Sequence, residues 1–176
     1  MTTVEETRWL TAGEQDAWIG VMGLVLRLPG LLDHQLQRDA GMGMFDYVVL
    51  SSLSMSDGRM LRMSALADLV HGSLSRLSNV VKRLEQQQLV RREPDPVDGR
   101  FTVAILTDAG WDKVVASAPG HVDAVRHLVL GPLTAAQVRQ LAEIGRRINA
   151  QLVAGLPSET ASAPEKSFAE CCESGD

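Results

Sequence analysis

The sequence predicts a mainly α-helical protein that carries one small β-sheet of two to three strands. Apolar residues recur at helical spacing through most of the chain. Residues 73–87 form a strongly amphipathic helical pattern, and two short runs suited to strands follow at 89–92 and 101–106. Between these runs, residues 94–99 are rich in Pro, Asp and Gly, which interrupt regular structure. The two runs therefore predict a β-hairpin directly after a helix.

The N-terminal part predicts two helices. Thr11 and Glu14 fit a capping box, which marks the start of a long helix ending near Ala40. Pro29 lies inside this helix and is expected to kink it or split it in two. After a glycine-containing break, residues 44–56 predict the second helix.

The middle of the chain predicts two helices joined by a tight turn. Ser64 is a candidate N-cap for a short helix over residues 65–70, and Ser73 is a candidate N-cap for a helix over residues 74–87. Within the second helix, apolar residues at i, i+3, i+4 and i+7 form one stripe that should face the core. These residues are Leu77, Val80, Val81 and Leu84. Short helix, turn, helix and hairpin together predict a winged helix-turn-helix.

The C-terminal part predicts two further helices. Thr107 should cap the first, which is expected to bend at 119–120 and to end near Leu130. A second capping box at 134–137 opens the last helix, which should end near Val153. The last helix also carries an apolar stripe. The stripe consists of Leu141, Ile144, Ile148 and Leu152.

Charge is distributed unevenly along the chain. The formal net charge is −5, but residues 59–100 contain eight Lys or Arg and five acidic residues, a net charge of +3. The rest of the chain therefore carries −8. A basic region within an acidic body predicts one face that attracts a polyanion. The alternative is that these Lys and Arg residues only cover solvated surface.

Several classes of protein are disfavoured by what the sequence lacks. It has no apolar run of the roughly 18 residues that a membrane span needs and no secretory signal, so a cytoplasmic protein is expected. Cys171 and Cys172 are adjacent and have no disulfide or metal-ligand spacing. No nucleophile triad, phosphate-binding loop or carboxylate pair is found, so we expect neither an enzyme nor a bound cofactor or metal. Residues 156–176 are expected to be a disordered acidic tail.

The exposed face of the helix at 74–87 predicts contacts to double-stranded DNA. Its N-terminus, with Ser73 and Ser75, should favour a phosphate, although Ser73 could serve only as a cap. Arg and Asn side chains can form paired hydrogen bonds with guanine and adenine in the major groove. Farther along the helix, Lys82 and Arg83 should contact phosphates. The predicted DNA-contacting residues of this helix are Ser73, Ser75, Arg76, Ser78, Asn79, Lys82 and Arg83.

The hairpin predicts a second contact to DNA. Arg100 should lie at its tip, where a cation can enter a minor groove. Asp98 cannot attract DNA, and we expect it to hold a wing arginine by a charge-assisted hydrogen bond; an ordinary turn aspartate is the alternative. Arg62, before the short helix, is a further candidate for a contact to the DNA backbone.

Four segments carry a resemblance to a known family: residues 62–67, 73–87, 89–95 and 98–110. Together with the order of the elements, they resemble the MarR family of bacterial transcriptional regulators from about residue 12 to residue 154. The resemblance implies a homodimer with intertwined N- and C-terminal dimerisation helices, in which each subunit presents one winged helix to a palindromic site. It also implies a small anionic or phenolic ligand as a candidate partner that releases the DNA.

Three positions depart from the usual pattern of this family. Gln88 stands where relatives usually have glycine at the end of the recognition helix. Asn79 stands where many relatives have arginine, and Arg76 where many have threonine or serine. The resemblance therefore does not predict which operator sequence this chain reads.

These observations predict a sequence-specific DNA-binding regulator, a repressor by resemblance. The expected regions are a dimerisation helix region at 1–42, the winged helix-turn-helix at 43–108, dimerisation helices at 109–155 and the tail at 156–176. The alternative function is a winged-helix dimer that acts as a protein-interaction module without specific DNA binding.

Overall fold

The computed structural model describes residues 7–155. This part of the chain contains six α-helices and a small three-stranded sheet, as the sequence predicts. A 3-10 turn at Asp57–Arg59 precedes the first strand, and a π-helical turn at Arg126–Leu130 follows the fifth helix. The elements are α1 (Ala12–Ala40), α2 (Met44–Ser54), β1 (Met60–Arg62), α3 (Met63–Leu69), α4 (Leu74–Gln86), β2 (Val90–Pro94), β3 (Thr102–Leu106), α5 (Asp108–Val125) and α6 (Ala135–Ala154). The tail expected at 156–176, with its two cysteines, lies outside the described residues.

The two helices that contain proline are continuous through it. Helix α1 runs through Pro29 and is not split there, and α5 runs through Pro119 to Val125. A proline inside a helix removes one hydrogen bond at a cost of about 3 kcal/mol. In α1 the turn after Pro29 buries Leu32 and Leu36, and this packing offsets the loss.

The start of α3 differs from the prediction. The helix begins at Met63, and Arg62 rather than Ser64 occupies the N-cap position without a capping side-chain hydrogen bond. The reason is strand β1, whose Arg62 lies opposite Val103 of β3. Because β1 passes directly into α3, sheet pairing sets the start of the helix.

The sheet is antiparallel, with strand order β1-β3-β2. Residues 90–94 of β2 pair with 102–106 of β3, which confirms the predicted hairpin and places 95–101 at its tip. The predicted apolar stripe of α4 is buried against α2, α3 and the sheet. Its members, Leu77, Val80, Val81 and Leu84, are at most 7% exposed. This packing presents the opposite side of α4 to solvent.

Apolar side chains on α1 and α6 remain uncovered. Helix α6 has no buried residue, although its stripe at Leu141, Ile144, Ile148 and Leu152 is 38–62% exposed. On α1, Trp18 is 55% exposed and Leu26 is 74% exposed. Among the described helices, none is long and apolar enough to cross a membrane.

Candidate nucleic-acid interface

Helix α4 is fixed at its N-terminus by Ser73. The Ser73 hydroxyl accepts a hydrogen bond from the backbone N–H of Arg76 at 3.2 Å, which confirms that Ser73 is the N-cap. Ser73 and Ser75 are both exposed. The N-terminus of α4 is therefore open to solvent, and its backbone N–H groups favour an anion there.

The side of α4 opposite the core forms a row of polar residues, which we call the outer row. Its members are spaced i, i+4, i+7 and i+11, so they follow one line along the helix. All four are exposed. They are Ser75, Asn79, Lys82 and Gln86. Lys82 has no carboxylate partner among the described residues, so its charge is free to meet a phosphate.

Arg76 and Arg83 lie on a flank of α4 and not in the outer row. The guanidinium carbon of Arg76 lies over the ring of Phe45, 4.1 Å from the ring centroid. Arg83 donates a hydrogen bond from Nη2 to the carboxylate of Asp46, whose side chain is only 10% exposed. The structure therefore places both predicted DNA-contacting arginines against the first turn of α2.

The other flank of α4 faces the hairpin. Ser78 on this flank is half-buried. Glu85 accepts hydrogen bonds from the backbone N–H and from Nε of Arg92 in β2, at 2.9 Å and 2.8 Å. This pair ties α4 to the hairpin and holds the two elements at a fixed spacing.

Arg100 lies at the hairpin tip as predicted, and Asp98 holds it. Arg100 donates from Nε to Asp98 Oδ1 at 2.9 Å and from Nη2 to Asp98 Oδ2 at 2.6 Å. The Arg100 side chain is nevertheless 85% exposed. Its hydrogen bonds lower the pKa of the Asp98 carboxyl below the ordinary value. Asp98 stays ionised at neutral pH and orients the arginine toward solvent.

A second aspartate, Asp95, organises the same tip. It is buried and accepts hydrogen bonds from the backbone N–H of Val97 at 2.7 Å and of Asp98 at 3.2 Å. It also accepts a hydrogen bond from Nε of Arg62, which is the main reason that the pKa of Asp95 is lowered. Arg62, a predicted DNA contact, is thus held by Asp95. Its guanidinium carbon lies over the ring of Phe101, 4.7 Å from the ring centroid.

Comparison with known proteins identifies the family. Residues 41–100 match a model of the MarR family. Among solved structures, the chain is similar to Sco3205, a MarR family transcriptional regulator from Streptomyces coelicolor in complex with DNA. The sequences are 46% identical, the TM-score is 0.80, and the match covers 88% of this chain and 95% of that one. The chain belongs to the MarR family of transcriptional regulators.

A second member of the MarR family gives the same result. The chain is 38% identical to AbsC from Streptomyces coelicolor, with a TM-score of 0.78 and coverage of 83% of this chain and 98% of that one. Sco5413 from the same organism, at 22% identity and a TM-score of 0.69, shares the fold. A search of curated proteins found no match. The MarR family consists of transcriptional regulators and not of enzymes.

In this MarR family chain, three residues near the interface were missed in the sequence. Gln86 completes the outer row, and the spacing of i+11 from Ser75 could have revealed it. Phe45 and Asp46 contact the recognition helix α4 from α2, about 30 residues earlier in the chain. No local pattern signals that contact, because it arises only when α2 packs against α4.

Proposed function

We propose that this MarR family regulator is a sequence-specific DNA-binding repressor that acts as a homodimer in the cytoplasm. The observation that carries the proposal is the outer row, a fully exposed line of hydrogen-bonding and cationic side chains opposite the buried stripe of α4. An α-helix fits the major groove, where the pattern of donors and acceptors identifies each base pair. The 46% identical relative Sco3205, whose structure is a complex with DNA, supports the same function.

Within the proposal, each predicted residue has a role. Asn79 lies at the middle of the outer row and reads a base edge, and Arg76 reads a second base from the flank. The N-terminal serines, Ser73 and Ser75, bind a phosphate. Contacts to the DNA backbone are made or supported by four residues: Lys82, Arg83, Ser78 and Arg62. Arg100, which Asp98 orients, enters the minor groove beside the site.

The proposed homodimer is supported by the uncovered apolar faces of α1 and α6. A 20-residue helix with an apolar stripe and no buried residue loses the hydrophobic contribution of that stripe unless a partner covers it. A second copy of the chain would cover both faces by symmetry. Its two α4 helices would then enter successive major grooves, about 34 Å apart, on a palindromic site.

A measurement of the oligomeric state tests the proposed homodimer. Sedimentation equilibrium should give twice the chain mass, and Ile148→Asp, on the α6 stripe, should shift the protein toward monomer. A wild-type protein that sediments as a monomer would contradict the homodimer.

Release of the DNA by a small anionic or phenolic ligand is also part of the proposal. A cleft of about 500 Å³ lies between the end of α1, the start of α2 and α4. Arg76 and Arg83 line it together with Asp33 and Asp46. An anion that pairs with these arginines would compete with DNA. Trp18 and His34 are both exposed and do not line this cleft.

The deciding experiment compares DNA sequences. The protein is titrated with the DNA upstream of its own gene and with a scrambled duplex of equal composition, and random DNA is enriched for bound sequences. We expect tighter binding to the upstream DNA, an enriched palindrome, and affinity that falls steeply between about 50 and 200 mM salt. Equal binding to both duplexes, or binding to neither, favours the interaction-module alternative.

A further inference from the structure

The first turn of α2 supports one whole flank of the recognition helix. Phe45 and Asp46 are adjacent in that turn, and Arg76 and Arg83 are seven residues apart on α4, which places both arginines on one flank. The ring centroid of Phe45 lies 4.1 Å from the guanidinium carbon of Arg76, and Asp46 accepts a hydrogen bond from Arg83. Two neighbouring residues of α2 thus hold two arginines that are two helical turns apart.

The Phe45 ring has little freedom to move. It packs against the hydrophobic core beneath it. On another side is Gly72, in the turn between α3 and α4, where a Cβ atom would lie 2.9 Å from Phe45 Cζ. The helix turn that carries the ring is itself held by α1, because Asp33 accepts a hydrogen bond of 2.7 Å from the backbone N–H of Met44. The ring is therefore a rigid surface beneath Arg76.

The contact with Phe45 leaves the hydrogen-bonding groups of Arg76 available. An arginine stacks on an aromatic ring through the face of its guanidinium, whereas its five N–H donors point outward in the plane of the group. The Arg76 side chain is exposed beside the outer row. A guanidinium held by its face can still form a bidentate pair with O6 and N7 of a guanine. By contrast, Asp46 occupies the Nη2 donor of Arg83.

We propose that Phe45 is a specificity-positioning residue, which holds Arg76 so that its donors meet a guanine edge in each half-site. The inference rests on the proposed function and names the base that one flank of α4 reads. Preorganisation is the physical basis: an arginine that is already held loses less side-chain entropy when it binds. Without the ring, Arg76 would sample several rotamers and discriminate less between bases.

The test is Phe45→Leu, which keeps an apolar side chain on the core and removes the π-face. Enrichment from random DNA by the wild type first defines the base pair whose preference disappears in Arg76→Ala. At that base pair we expect Phe45→Leu to reduce the preference for guanine about tenfold, within the range for one bidentate pair. Affinity for scrambled DNA and the salt dependence should change less than twofold, because no phosphate contact is removed.

Three variants separate positioning from structural damage. Phe45→Tyr keeps the ring and should retain the wild-type preference. The double variant Phe45→Leu/Arg76→Ala should show no greater loss than Arg76→Ala alone, since Phe45 acts through Arg76. Trp111→Leu removes the ring beneath Arg59, 4.1 Å from its guanidinium carbon, and should leave base preference unchanged.

The outcomes distinguish this inference from the proposed function. If the wild type enriches a palindrome but Phe45→Leu enriches it with equal guanine preference, the proposed function stands and the role of Phe45 is refuted. A uniform loss of affinity for all sequences, or losses that add in the double variant, also refutes it. If the wild type enriches no sequence, both proposals fail.

Discussion

The Thr107 hydroxyl donates a hydrogen bond of 2.7 Å to the backbone carbonyl of Gln88. This contact joins the end of the recognition helix to the start of α5, because Thr107 also accepts a hydrogen bond from the backbone N–H of Gly110 at 3.0 Å and caps α5. Gln88 has φ +60°, the left-handed conformation that favours glycine. The helix therefore ends in the conformation expected of a glycine, despite the glutamine.

Gln88→Gly should raise the free energy of unfolding by about 1 kcal/mol, because glycine adopts a positive φ without the steric cost of a Cβ atom. Chemical denaturation measures the change. The matched control is Gln87→Gly, one residue earlier, where φ is −87° and glycine should lower stability. Equal effects at the two positions would contradict the explanation from backbone strain.

Gly110→Ala should lower the free energy of unfolding by about 1–3 kcal/mol or prevent folding. A Cβ atom at this position would lie 2.1 Å from the backbone carbonyl oxygen of Leu89, so α5 would have to move away from the hairpin. Thermal denaturation checks the prediction. Gly13→Ala is the control: nothing lies within 4 Å of its Cβ position and alanine favours a helix, so stability should not fall.

His121 should make the fold sensitive to mild acid. Its ring lies 4.6 Å from that of Tyr47, its Nδ1 is buried without a partner among the described residues, and burial lowers its pKa below the ordinary 6.5. The pKa of His121 is lower in the folded state than in the unfolded state. The stability that the neutral, buried ring contributes is therefore complete above about pH 6.5 and is lost as the pH falls through the folded-state pKa.

Denaturant titrations at several pH values above 5 measure this loss. His121→Phe keeps a ring against Tyr47 and should flatten the pH dependence. An equally steep pH dependence in His121→Phe would show that another group is responsible.

Asn79 and Lys82 of the outer row should have different roles in DNA binding, one in base preference and one in overall affinity. Asn79→Ala should relax preference at one base pair by about 1–3 kcal/mol, whereas Lys82→Ala should weaken binding to all sequences alike and reduce the salt slope by about 1. Titration of specific and scrambled DNA over a range of salt concentrations measures both effects. If the two variants behaved identically, the outer row would not be the recognition surface.

Much of this protein follows from local sequence. The capping boxes at Thr11 and Thr134, the N-cap Ser73, the buried stripe of α4 and the hairpin at 90–106 were all predicted. Each depends on residues that lie within one helix or one hairpin, so spacing and side-chain chemistry suffice. The Asp98–Arg100 pair was predicted for the same reason.

Other features were decided only by contacts between distant segments. Helices α1 and α5 are continuous through Pro29 and Pro119, where local rules predicted a kink or split and a bend, respectively. Strand β1 exists because three residues pair with β3, and that pairing moves the start of α3. The local sequence of these segments signals the observed structure too weakly. Contacts with distant segments supply the free energy that stabilises it.

The different surroundings of Asn79 and Arg76 show which features of the site the sequence alone does not determine. By itself it determined that both lie off the buried stripe of α4, because helical periodicity fixes the direction of each side chain. Only the tertiary structure decided that Asn79 stands in the open outer row while Arg76 rests on Phe45. That contact joins residues 31 positions apart, and it depends on how α2 packs beside α4, which the sequence of neither helix specifies alone.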